Sequence, residues 1–215
     1  MKYDRERVMD LLVEHGPKIL GEYYGPNACV ASTKATIETL KRFGIRANPL
    51  VVRVLILNAV TAKAVEGGLT MREASEIPGN WSIGIEATGE IAEDGNGWDG
   101  HLVAVVGGRY IVDLSAGQFA RPQHGIKMVP FVVHAEPGWA KGREPLVLAG
   151  GEGAVVALLA KPGERSFLPA KDWWHRRIIP VVERVEEAIR QGYEEGLEVS
   201  EAPAPAQSKS PGQRG

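Results

Sequence analysis

Cysteine is almost missing from this sequence: Cys29 is the only one in 215 residues. An internal disulfide framework and any multi-cysteine zinc site are therefore excluded, which leaves a small buried hydrophobe or a nucleophile as the roles for that sulfur. Charge of either sign is also lacking in excess. A net charge of −2 gives no electrostatic reason to expect nucleic acid or an anionic membrane as partner. No stretch approaches the roughly 20 apolar residues that span a bilayer. The start, "MKYDRERVMDLLVEHG", is charged from its second residue and has no apolar core segment, so neither a signal peptide nor an anchor is expected and the chain reads as cytoplasmic. Aromatic residues make up only 7%, and five of them are tryptophans, more suited to packing and lids than to a nucleic-acid stacking surface.

What is present is the composition of one globular domain, 44% hydrophobic and 24% charged, expected over residues 1–198 with a core at 20–165. The final segment, "EAPAPAQSKSPGQRG", is rich in Pro, Ser and Gly, and 199–215 is expected to be disordered. Periodicity predicts a short amphipathic helix over 3–15, stopped by "HGP", and then a turn-rich connector, "GEYYGPNA". A second helix follows from Ala28 to Phe43, with Asn27 fitting its N-cap and Gly44 its terminating position. Its stripe of small residues, including Ala31, Ser32 and Ala35, suits a central helix packed on a sheet. "NPLVVRVLILN" predicts a buried strand, "WSIGIEA" another, and "HLVAVVGGRYIVDLS" a hairpin broken by Gly107 and Gly108. More strands are expected in "MVPFVVHAE" and "EPLVLAGGEGAVVALLAKPG", and a terminal helix over 173–195. "AGGEG" lacks the Lys-Ser/Thr signature and the following helix of a phosphate loop, so it reads as a hairpin turn. Nothing in the chain calls for a cofactor or a metal.

Cys29 falls in the first turn of its helix, where unpaired N–H groups and the helix dipole favour a thiolate. A nucleophile also needs a base and a group to orient the base, and His101 and Asp113 are candidates for both. Hairpin geometry tests the pair. A two-residue turn at 107 and 108 sets 101 against 114 and sends Asp113 to the face opposite His101. A loop of 106–108 sets 101 against 113, and a loop of 107–109 leaves them diagonal on one face. The triad therefore requires a three-residue loop.

A cysteine opening a central helix ("NACVASTKATIETLKRFGI"), a histidine leading a strand ("GHLVAVVGG") and an aspartate late in the next ("RYIVDLS") resemble the transglutaminase-like branch of the papain-like cysteine hydrolases. The similarity covers roughly residues 20–135. It departs from a His-x-Trp pattern common in relatives, having Leu102 and Val103, and its His-to-Asp interval is shorter. The resemblance implies an α+β papain-like fold with the Cys29 helix packed on an antiparallel sheet. It implies a cysteine-dependent hydrolase or acyltransferase acting on amide bonds through an acyl-thioester, most plausibly a peptidase or amidase, with a peptide or other amide-containing substrate. The oxyanion would be held by the Cys29 N–H and by a donor from the preceding loop, Tyr23 or Asn27; Trp98 would stand beside the cleft as a substrate-binding residue.

Plainer roles exist for each residue. A lone cysteine on a helix is more often packing, His101 could close a Gly-rich loop, and Asp113 could cap the turn at "DLSAG". His124, His134 and His175 are rivals for the base, His134 first among them because it ends an apolar strand. A non-catalytic binding or assembly module on the same fold is the alternative function, and a protein deamidase with the same trio is another.

Overall fold

The computed structural model describes residues 3–24, 28–88, 90 and 98–201, the side chains of 196–201 excepted. The chain is α+β: one antiparallel sheet with helices against it. Helix α1 (Arg5–Tyr23) is capped by Asp4, whose carboxylate accepts from the Arg7 N–H at 2.8 Å. It does not stop at "HGP" as expected but runs through Gly16 and Pro17. Pro17 forfeits one helical hydrogen bond, yet the extra turns bury Ile19 and Leu20. Gly16 makes the close approach possible, because a Cβ there would lie 2.9 Å from the Leu114 side chain.

Helix α2 (Cys29–Arg42) matches its expected span to within a residue at each end. Phe43 closes it, and Gly44, at φ +73°, takes the left-handed position that ends the helix and turns the chain into strand β1 (Ala47–Leu57). Short helices α3 (Ala59–Glu66) and α4 (Met71–Ser75) follow, before β2 (Ser82–Ile85). Then come β3 (His101–Val106), β4 (Tyr110–Asp113), β5 (Phe131–His134), β6 (Leu146–Ala149) and β7 (Val155–Ala160). Their order is β5-β4-β3-β1-β7-β6, all antiparallel. One edge of β1 is shared: Ala47–Val52 pair with β3 and Val54–Leu57 with β2.

All six residues of β3 are buried because both faces of the strand are covered. Ala104 and Val106 pack into a cluster with α1, α2 and the long final helix, whereas Val103 and Val105 join Phe119, Ile126, Val156 and Leu158 on the other face. The terminal helix expected over 173–195 is split into α5 (Lys171–Trp174) and α6 (Ile178–Glu201). Pro180 accounts for the break, since its ring would clash with the carbonyl four residues back and is accommodated only in a first turn. The tail from 202 onward, part of the segment expected to be disordered, lies outside the described residues. Among the described residues no helix is long and apolar enough to cross a membrane.

Candidate active site

Two hydrogen bonds set α2 in register with β3. The Cys29 thiol faces the Gly100 carbonyl at 3.7 Å, and one turn later the Thr33 hydroxyl donates to the Leu102 carbonyl at 2.8 Å. Four residues of helix rise about 6 Å and two residues of strand about 6.6 Å. The two elements are commensurate here, so both bonds form together and Cys29 is fixed at the point where β3 begins. The capping position of α2 is Ala28, whose methyl group accepts no hydrogen bond, and the first internal bond runs from the Ser32 N–H to the Ala28 carbonyl at 2.8 Å. The N–H groups of Cys29, Val30 and Ala31 therefore have no intrahelical acceptor. Asn27, expected to cap this helix and to serve the oxyanion, lies outside the described residues.

The hairpin has a three-residue loop, 107–109. Gly107 and Gly108 both have positive φ, +58° and +71°, which is why two glycines in succession are needed. Tyr110 pairs with Val106, Ile111 with Val105 and Val112 with Ala104. Continuing that register places Val103 opposite Asp113 and leaves His101 diagonal to it on the same face, a separation long side chains can bridge. They do: His101 Nε2 and Asp113 Oδ2 are 2.7 Å apart, with both side chains all but fully buried. The other carboxylate oxygen, Oδ1, accepts from the Ser115 N–H at 2.9 Å and the Ser115 hydroxyl at 2.8 Å. Asp113 thus fills its plainer role as a turn cap and orients the imidazole as well.

Burial on its own would lower the proton affinity of His101, and it is the largest single influence. The adjacent Asp113 charge and hydrogen bond, with further hydrogen-bonding and charge contributions from Cys29, outweigh it and hold the ring's pKa up, to about 10. Cys29 is thus among the groups that act on the imidazole. The Phe119 ring packs edge-on against it at 4.5 Å. On its remaining side, Gln118 Nε2 lies 2.5 Å from Nδ1. A neutral ring accepts from that amide; an imidazolium requires the carboxamide to turn end for end and accept. Gln118 was not legible from spacing: it sits in a short 3-10 turn, Ala116–Phe119, five positions after Asp113, and neither motif nor periodicity marks it.

Trp98 lies against the apolar group that contains Cys29. Its indole N–H donates to the Ser166 hydroxyl at 3.1 Å, and its ring packs with Phe167 in the apolar group that surrounds Cys29. A Cβ on Gly100 would run into the Trp98 ring, so the indole lies directly on the residue whose carbonyl faces the thiol. Cys29 itself is only 4% exposed, among Val30, Val51, Leu102 and Phe167. Tyr23 is not brought to the cluster. Because α1 continues past Pro17, Tyr23 rides on that helix instead of in a connector, exposed, with the Arg184 guanidinium over its ring at 5.6 Å. The rival histidines are engaged elsewhere: His124 stacks on Trp81, His134 packs against Tyr110, and His175 accepts from the Arg177 N–H. Among the described residues, no group of three or more His, Cys, Asp and Glu side chains is placed to hold a metal ion.

Comparison with known proteins gives no match to a family model, to a curated protein or to a solved structure.

Proposed function

We propose that this chain is a cysteine-dependent hydrolase or acyltransferase of papain-like, transglutaminase-like character, with Cys29 as nucleophile, His101 as base and then acid, and Asp113 orienting the ring. The observation that carries this reading is the buried 2.7 Å His101–Asp113 pair on the strand at whose start the thiol of the single cysteine, Cys29, faces the Gly100 carbonyl. An imidazolium held by a carboxylate is the charge partner that a thiolate requires.

In this mechanism the Cys29 proton resides on His101 Nδ1, and the thiolate of that ion pair attacks the carbonyl carbon of an amide. The developing oxyanion is met by the Cys29 N–H at the start of α2, where Ala28 supplies no side-chain cap. Collapse expels the amine, which receives the proton from His101, and leaves an acyl-thioester on Cys29. Water or an acceptor amine, deprotonated by His101, then attacks the thioester and the thiolate leaves. Peptides and amides are the substrate class; thiolate attack at a side-chain carboxamide, with ammonia leaving and water then hydrolysing the thioester, would make the same trio a deamidase.

The burial of Cys29 supports a second reading, in which the cluster is a relict inside a binding or assembly module. Incubation with an activated acyl ester, followed by mass spectrometry, distinguishes the two. The catalytic reading requires one hydroxylamine-labile acyl group at Cys29, absent from Cys29→Ala and strongly slowed in His101→Gln. Absence of the adduct from the native protein supports the module.

A further inference from the structure

A cavity of about 470 Å³ opens beside the trio, lined by residues from α1, the first turn of α2 and the segment after β4. Three features tie it to the chemistry. Ala28 and Ser32, the residues one before and three after Cys29, form part of its wall. Gln118 lines it and also touches His101 Nδ1. Ser115 lines it and binds Asp113. The cavity therefore reaches the hydrogen-bonding partners of both the base and its orienting carboxylate.

Its chemistry is equally restricted. Among the described residues that line it there is no Asp, Glu, Lys, Arg or His. The polar side-chain groups are hydroxyls and one carboxamide, and the Tyr24 hydroxyl is buried with no hydrogen-bond partner among the described residues. A buried hydroxyl left unpaired costs stability unless a ligand satisfies it. An ionic group entering such a wall would lose water without gaining a counter-charge.

Resting on the catalytic reading above, we propose that this groove binds the acyl side of the substrate and selects an uncharged segment carrying a neutral hydrogen-bonding group, as a peptide backbone does. Gln118 both lines the groove and touches the base, so the arriving acyl chain meets the same carboxamide that occupies Nδ1.

The test uses two nearly isosteric probes, the 4-nitrophenyl esters of N-acetylglycine and of glutaric acid, one neutral and amide-bearing, the other anionic. Each rate of Cys29 acylation is divided by that ester's rate with free cysteine. The neutral ester is expected to be favoured by at least about tenfold, the cost of leaving one charge poorly solvated. Gly21 lines the groove, and a side chain there meets nothing within 4 Å. Gly21→Lys is then expected to shift the preference toward the glutaryl ester by about fivefold, the effect of one opposite charge near 4 Å in a watery setting. Equal normalised rates in the native protein, or a preference unmoved by Gly21→Lys, would overturn the groove assignment while leaving Cys29 acylation intact. No His101-dependent acylation by either ester would instead remove the catalytic reading beneath it.

Discussion

The carboxamide of Gln118 lies 2.5 Å from His101 Nδ1, the ring nitrogen left over once Nε2 is paired with Asp113. A thiol that gives its proton to this imidazole must use Nδ1, so Gln118 and Cys29 compete for one atom. Gln118→Ala is expected to raise the rate of Cys29 alkylation by iodoacetamide by about tenfold, the equivalent of one lost hydrogen bond of roughly 1–1.5 kcal/mol. A slower rate would mean that Gln118 supports the base and does not compete for it.

Asp113 holds both the ring and the turn after β4. Asp113→Ala leaves a buried imidazole without its counter-charge and should cost about 3–5 kcal/mol in urea unfolding. Asp113→Asn keeps the shape and should cost less, but it removes the charge that keeps His101 protonated. The nitrogen NMR shifts of the ring should then move toward the neutral form at neutral pH.

Stability should depend on pH through the same pair. His101 keeps its proton up to about 10 when folded, against 6.5 without the surrounding structure, so the folded chain binds more protons between those values. The contribution is complete below pH 6.5 and is lost as pH climbs through 10. Urea midpoints measured from pH 6 to pH 10 should fall in the native protein and fall less in His101→Gln.

Gly100 has no room for a side chain. A Cβ would meet the Trp98 indole and would stand 2.8 Å from the Ala87 Cβ. Gly100→Ala should push the indole off, cost about 1–3 kcal/mol as overpacking does, and change the tryptophan fluorescence. Trp98→Ala uncovers the same spot without a clash and should make Cys29 more accessible to iodoacetamide.

The hairpin shows how far the sequence could be followed. Alternation of side chains and the Gly107–Gly108 pair restricted the loop to lengths that either join or separate His101 and Asp113, and the three-residue loop joins them. Helix α2 was legible because its small residues and Gly44 are local signals. Tyr23 was misplaced because the Gly16–Pro17 pair reads as a stop. What overrides it is tertiary: the burial of Ile19 and Leu20, and the approach of Leu114 to Gly16. Gln118 and the Gly100 carbonyl were out of reach for the same reason, since their importance comes from the side chains that fold onto them and not from their neighbours in sequence.

One comparison bears on the central claim, that the sulfur and the imidazole act as a unit. The pseudo-first-order rate of Cys29 alkylation by iodoacetamide at neutral pH can be followed unambiguously by mass spectrometry, since no other cysteine is present. Coupling to His101 predicts a native rate above that of Cys29 in His101→Gln by about 100-fold, the lower range of general-base assistance. Equal rates in the two proteins would contradict it.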